Sequence, residues 1–217
     1  MPILYGVPPS PYVRKTMLAH AYKNIPYELK AIMPGSDDDE FRQASPRGKV
    51  PAYKTDDNFA FADSSVIIAY LEKTSKDKPL YPSNASDYAK SLWLEEWADS
   101  ELIVATSALY YQKVIGPVFF NHTTDLQRVD EILTDLIPNA FDLLETRLTE
   151  QEWLVANEFS VADITVGTCL ISLLHANYQI DQSRWPKLFS FNERFLALEI
   201  VQEQIVIEKS MINQSAS

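Results

Sequence analysis

Residues 45–67 read Ser45-Pro46-Arg47-Gly48-Lys49-Val50-Pro51-Ala52-Tyr53-Lys54-Thr55-Asp56-Asp57-Asn58-Phe59-Ala60-Phe61-Ala62-Asp63-Ser64-Ser65-Val66-Ile67. Val50 to Lys54 and Phe59 to Ala62 are short apolar runs on either side of Asp56-Asp57-Asn58, a cluster with turn chemistry, so the stretch predicts a β-hairpin. Pro51 opens the first strand, a position tolerated only where its missing N–H is not needed. Asp63-Ser64 predicts a helix start, with Val66, Ile67, Ala69, Tyr70 and Leu71 on the buried side.

Outward toward the N-terminus, Ile3-Leu4-Tyr5 is a short buried strand. Ser10-Pro11 opens a helix, with Ser as N-cap and Pro at the first helical position, where its missing N–H costs nothing. Val13, Met17, Leu18 and Ala21 are that helix's apolar face, and Tyr27 to Ala31 a second strand. The acidic run Asp37 to Glu40 belongs to a short solvated helix, its charges favoured at the N-terminal end. The order β-α-β-α-β-β-α places a crossover helix between parallel strands.

Toward the C-terminus, the stretch around residues 77–85, with Pro79, Pro82, Ser83 and Asn84, has linker composition. The expected domains are therefore 1–76 and an all-helical 86–217. Trp93, Trp97, Val104 and Tyr111 mark one stripe of a long helix that Gly116-Pro117 should end. Val129, Ile132, Leu133, Leu136, Ala140, Leu143 and Leu144 mark another, with a kink at Pro138. Ser160-Val161-Ala162-Asp163 is a capping box, flanked by Phe159 and Ile164 in staple positions, that starts a buried helix. Trp185-Pro186 opens a further helix, and Ile200 to Ile207 a short last one.

Composition excludes several chemistries. Of 217 residues only five are glycine, three histidine and one cysteine. Gly6, Gly35, Gly48, Gly116 and Gly167 are too scattered for a dinucleotide fingerprint or a P-loop. His20, His122 and His175 with lone Cys169 lack the spacing of a zinc site, so no metal is expected, and one cysteine forms no intrachain disulfide. A reducing, cytoplasmic setting is expected on that ground. The net charge of −11 makes nucleic acid and anionic membrane poor partners. Met1 leads into an amphipathic pattern with no basic region and apolar core, so no signal peptide is expected. The longest uncharged stretch, Ile164 to Ile180, falls short of a membrane span.

Three elements could carry chemistry. Ser10 stands at a helix N-terminus, where amide N–H groups and the dipole stabilise an anion; its plainer role is to cap that helix. A cis bond before Pro51 would turn the Val50 backbone outward as an edge able to pair with a short peptide; the alternative is an ordinary turn proline. Asp63-Ser64 could grip an ammonium and a carboxylate together, or be a bare N-cap.

Taken together, Ser10-Pro11-Tyr12-Val13-Arg14-Lys15, the segment Ser45 to Ala52, Phe61 to Ile67 and the Ser160–Asp163 box resemble the cytosolic glutathione transferases of the serine type, theta- or tau-like. The motifs occur in that family's order across nearly the whole chain. The resemblance implies a thioredoxin-like N-terminal domain, an all-α C-terminal domain, a homodimer, and glutathione as cosubstrate in a detoxification role. It implies that Ser10 hydrogen-bonds the sulfur, that Val50 offers backbone bonds beside cis-Pro51, that Asp63 and Ser64 hold the γ-glutamyl end, and that Lys49 faces the glycine carboxylate. Asp63 stands where Glu or Gln is commoner in the family. Tyr12, Tyr110, Tyr111 and Phe119 are candidates for the apolar wall of an electrophile site, or else core. Arg14, Lys15, Arg47 and Lys49 flank the expected pocket and would oppose the global negative charge. The implied activity is conjugation of the glutathione thiolate to small hydrophobic electrophiles. The alternatives are a non-catalytic binding or regulatory protein on the same fold and a glutathione-dependent disulfide or peroxide reductase.

Overall fold

Leu4 and Tyr5 are fully buried in strand β1, Ile3–Tyr5, around which a four-stranded sheet is built. In the structure, a computed structural model that describes residues 1–149 and 151–216, helix α1, Pro11–Lys23, carries the chain across to β2, Glu28–Lys30, parallel to β1. Helix α2, Asp39–Ala44, leads to the hairpin of β3, Ala52–Lys54, and β4, Ala60–Ala62, after which the chain enters helix α3, Ser64–Thr74. The sheet order is β2-β1-β3-β4, with β1 and β3 antiparallel, as are β3 and β4. This is the expected α/β order and a thioredoxin-like topology.

The local rules explain the joints. Thr55 accepts the Phe59 N–H through Oγ1 at 3.0 Å, closing the hairpin, and Asn58 takes the left-handed conformation that its type tolerates. Asp38 caps α2 by accepting the Phe41 N–H at 2.9 Å. One core lies beneath the sheet on Tyr5, Ile32, Phe41, Ala44 and Ala52. The buried side of α3 differs from expectation: Val66 and Ala69 face solvent, while Ile67, Ile68 and Leu71 are buried. Ile68 rather than Ala69 completes the stripe because the helix begins at Ser64 with Asp63 outside it.

The chain divides into two units, Met1–Leu80 and Tyr81–Ser217. The second is helical. Asn84 caps a helix spanning Ala85–Phe120 by accepting the Ser86 and Asp87 N–H groups. Two π-helical turns, Ala98–Leu102 and Tyr111–Ile115, interrupt its α-geometry. Each inserts a residue and rotates the later turns about the helix axis, so beyond the first of them the expected stripe fails: Val104 and Tyr111 are exposed while Ile103, Leu109 and Tyr110 are buried. Ahead of it Trp97 is buried as expected and Trp93 is exposed. Nor does Gly116-Pro117 end the helix. Pro117 sits in the first turn of the α-helical segment Gly116–Phe120, and the chain leaves at left-handed Asn121.

The next helix covers 126–147 and carries a π-helical turn at Ile132–Leu136 just ahead of Pro138, where proline's missing N–H breaks the regular ladder. Asp163 Oδ2 accepts both the N–H and the hydroxyl of Ser160, at 2.8 and 2.9 Å, and fixes the start of the helix Val161–His175. That helix is buried from Val161 to Leu173. Pro186–Leu196 packs on it, and the last helix, Glu199–Ser215, is longer than expected because no glycine or proline comes after Ile207 to stop it. Although the longest uncharged stretch is still Ile164–Ile180, one described helix, Ala85–Phe120, is long and apolar enough by length and composition to cross a bilayer while carrying charged residues. Its buried Leu94, Trp97, Ala98, Leu102 and Leu109 mark it as a core helix packed on Val161–His175.

Candidate functional site

Gly6 shows how the segments of the first unit converge. It comes directly after β1 with φ of 150°, and a Cβ there would lie 2.4 Å from a methyl of Val13 in α1 and 3.3 Å from Cβ of Val50. Only glycine lets the start of α1 and the residue before β3 close over this turn. On the other side, the buried Lys15 ammonium donates to Ser65 Oγ at 2.9 Å, tying the second turn of α1 to the first turn of α3. Ser10, Val50 and Ser64 are thereby gathered at the carboxyl end of β1, the usual place for ligands on an α/β sheet.

Ser10 occupies the N-cap of α1, but its hydroxyl makes no capping bond. Its backbone holds the position, with the N–H on Val7 C=O at 3.0 Å and the C=O receiving Arg14 N–H at 2.9 Å. The plain capping role is thus not what its side chain performs. Without a partner among the described residues, the hydroxyl donor stands at the positive end of a 13-residue helix, an arrangement suited to an anion.

Val50 precedes a cis peptide bond to Pro51. Among the described residues neither its N–H nor its C=O has a backbone partner, whereas Ala52 pairs with both Tyr5 and Ala62 and Pro51 C=O receives Asp63 N–H at 3.3 Å. One residue therefore presents both polar backbone groups for an extended peptide to pair with. Lys49 is exposed, and its side chain makes no hydrogen bond or ion pair with the described residues.

Asp63 adopts φ of 92°, uncommon for a residue with a Cβ. Its Oδ1 accepts the Ser65 and Val66 N–H groups at 3.0 and 3.2 Å, so half of the carboxylate caps α3 and Oδ2 faces outward. Ser64, the first helical residue, keeps its hydroxyl and N–H without partners among the described residues. The pair offers a carboxylate oxygen for an ammonium next to an amide and a hydroxyl for a carboxylate.

Of the basic residues expected around the pocket, Arg14 and Lys15 are fully buried within α1. Their long side chains are taken up in packing and hydrogen bonds, so Arg47 and Lys49 are the pair that faces solvent. Tyr5 is a packing residue: it contacts Phe41, donates to Glu40 at 3.4 Å, and is held above the ordinary phenol range by burial and then by that carboxylate. Tyr12 on α1 is 37% exposed. In the helical unit Tyr111 is 38% exposed and its hydroxyl pairs with His122 Nδ1, while Phe119 is half-buried. Tyr110 is instead a core side chain, its ring stacked on His175 with centroids 5.9 Å apart. Among the described residues no cluster of His, Cys, Asp or Glu could hold a metal ion.

Comparison with known proteins agrees with the fold. The family of the glutathione S-transferase N-terminal domain matches residues 4–79, and that of the C-terminal domain matches 111–204. Glutathione S-transferase theta-3 of Mus musculus is 31% identical over 80% of this chain and 73% of its own. A maleylacetoacetate isomerase of Dictyostelium discoideum is 26% identical over 90% of this chain and 89% of its own. Among solved structures, human glutathione-S-transferase T1-1 in its apo form superposes with a TM-score of 0.84 at 25% identity, covering 100% of this chain and 91% of that one. A glutathione S-transferase of Methylobacillus flagellatus with bound glutathione shares the fold at a TM-score of 0.77 and 22% identity, over 94% and 98% of the two chains. The chain belongs to the glutathione S-transferase family, in its cytosolic superfamily.

Proposed function

We propose that this protein binds glutathione along its first unit and transfers the thiolate to small apolar electrophiles. The observation that carries this reading is the free hydroxyl of Ser10 at the α1 N-terminus, beside an unpaired Val50 backbone and the open Asp63-Ser64 pair. In this reading the cysteinyl backbone of glutathione pairs with Val50, its γ-glutamyl ammonium and carboxylate meet Asp63 and Ser64, and its glycine carboxylate meets Lys49. Ser10 then donates to the sulfur.

A free thiol with a pKa near 8.5 is mostly protonated at neutral pH, and each unit of depression takes about 1.4 kcal/mol of preferential thiolate stabilisation. One hydroxyl donor and a helix N-terminus together supply on the order of one to two units. The thiol proton passes to solvent. The sulfur forms a bond to the electrophilic carbon, and the leaving group departs with its bonding electron pair. Tyr12, exposed on the first unit that binds glutathione, is the aromatic candidate for contact with the electrophile. A homodimer and a cytoplasmic location complete the proposal. A single, buried Cys169 suits a reducing compartment, and exposed Tyr88, Trp93 and Val104 are apolar surface that a second copy would cover.

The test compares wild type with Ser10→Ala by calorimetry and by ultraviolet absorbance of the bound thiolate. Binding should survive in the variant while thiolate absorbance drops. Equal ionisation in the two proteins would remove Ser10 from the activating role, and absence of binding to wild type at millimolar glutathione would favour a non-catalytic protein on this fold. Purified protein assayed with a halonitroarene, a peroxide and a mixed disulfide separates conjugation from reduction.

A further inference from the structure

Arg42, on α2, lies outside every motif that pointed to the site. Its guanidinium nevertheless binds the loops on both sides of that helix. Nε donates to Ser36 C=O at 2.6 Å, Nη2 to Gly35 C=O at 2.8 Å, and Nη1 to Pro46 C=O at 3.4 Å. Nη2 also meets the Asp37 carboxylate at 3.0 Å. The two loops are joined directly as well, by Gly35 N–H on Gly48 C=O at 2.8 Å.

Gly48 is shaped around this fork. Its φ is 66°, and a Cβ there would come within 2.7 Å of Arg42 Nη1, 3.0 Å of its Cζ and 3.2 Å of Gly35 Cα. Guanidinium and Gly35 thus lie flat against the backbone immediately before Lys49. A planar fork can engage several carbonyls at fixed angles, which a lysine ammonium cannot reproduce. Beyond Gly48 the order is passed on by Ser45, whose hydroxyl bonds both backbone groups of Lys49, and Val50 comes next.

We propose that Arg42 is a positioning residue for glutathione: its guanidinium locks residues 35–36 to 46–48 and so presets the Lys49 side chain and the Val50 backbone edge. This rests on the glutathione reading of the site. Arg42 touches neither Ser10 nor α1 in the hydrogen-bond pattern, so it sets how often the site is competent to bind and leaves the ionisation of bound thiol alone. When only a fraction of molecules holds the competent arrangement, apparent affinity falls by that fraction.

Initial rates against varied glutathione, with a halonitroarene as acceptor, test this in Arg42→Gln, Arg42→Lys and Asp37→Ala. Both Arg42 variants should raise KM for glutathione by about 10-fold, the effect of a competent fraction near one tenth. Their kcat at saturation, their KM for the acceptor and the thiolate absorbance of the bound state should match wild type. Lysine should not rescue, because charge without the fork is insufficient. Asp37→Ala should behave as wild type, because the Asp37 side chain is 97% exposed and the carbonyl bonds remain. Amide exchange in the ligand-free proteins should be faster at Gly48 and Lys49 in the Arg42 variants, with global melting little changed. Unchanged exchange at those amides overturns the brace whether or not glutathione binds. A fall in kcat and thiolate at unchanged KM overturns the positioning role. If wild type binds no glutathione while exchange responds as described, the glutathione reading fails and the brace stands as structure alone, which also overturns its role in binding.

Discussion

The Ser45 hydroxyl holds both backbone groups of Lys49, accepting its N–H at 3.0 Å and donating to its C=O at 2.7 Å. The chain is thereby saturated one residue before Val50, which is left with its own N–H and C=O open. Ser45 is 2% exposed and its two bonds to Lys49 are partly buried, so Ser45→Ala removes both at once. The expected cost is about 1–3 kcal/mol in stability, read by urea unfolding, with a higher KM for glutathione. A variant as stable as wild type would show that water replaces the hydroxyl.

Ser10→Ala should separate binding from ionisation. Loss of the donor, with the helix N-terminus still in place, is expected to raise the pKa of bound thiol by about one unit, so conjugation near pH 6.5 falls by up to about 10-fold. The deficit should shrink as pH approaches the variant's own thiol pKa. A deficit constant across the pH–rate profile would point to a role other than setting that pKa.

Lys49→Ala addresses the glycine carboxylate. Glutathione is a net anion approaching a chain of charge −11, and Lys49 is one of the exposed cations near the site. The variant should bind glutathione more weakly at low salt, and the difference should narrow as ionic strength rises. Equal affinity at low salt removes Lys49 from the site.

His20 and Asp163 give stability opposite pH dependences. His20 donates from Nδ1 to Ile25 C=O at 2.9 Å while Nε2 is buried without a partner, and burial lowers its pKa to about 4. Above pH 6.5 both folded and unfolded chains carry it neutral. Between about 6.5 and 4 only the unfolded chain takes the proton, so stability falls by about 1.4 kcal/mol per pH unit. Asp163 is raised by burial to about 6, so between about 6 and 3.8 the folded chain holds the proton and stability rises as pH falls. His20→Gln should therefore gain stability relative to wild type on acidification from pH 7 to 4.5, and Asp163→Asn should lose it. Urea unfolding at several pH values reads both, and parallel curves would refute the assignment.

Gly167 lies inside the helix Val161–His175, where an added Cβ would sit 2.2 Å from Cζ of Phe195. Gly167→Ala forces that ring or its helix to shift and should destabilise the helical unit by about 1–3 kcal/mol, despite alanine's better helix propensity. Phe195→Leu in the same background should recover part of the loss. No loss in the single variant would mean the ring moves freely.

Much of the fold is legible in short-range chemistry. Pro11 starts α1 by its fixed φ and absent N–H. Asp63-Ser64 and the Ser160–Asp163 box start their helices where their residue types require, since capping joins a side chain to amides two or three residues away. Asp56-Asp57-Asn58 turns the hairpin for the same reason. The site is only half legible. Taken singly, Val50-Pro51 reads as a turn proline, Asp63-Ser64 as a bare N-cap and Ser10 as a cap, until the structure shows that the Ser10 hydroxyl makes no capping bond. Arg42 gives no signal at all, because its carbonyl partners carry no side-chain signature.

The sequence by itself determined the element order of the first unit and the helix starts at Pro11, Ser64, Val161 and Pro186, all of which depend on neighbours in the chain. Tertiary structure decided which residues those elements bury and which they leave free. The π-helical turn at Ala98–Leu102 moves burial from Tyr111 to Tyr110, a shift no regular periodicity announces. Likewise Gly6, Lys15 and Arg42 bring distant segments into contact, and a free hydroxyl or an unpaired backbone edge exists only once every competing partner has found its place.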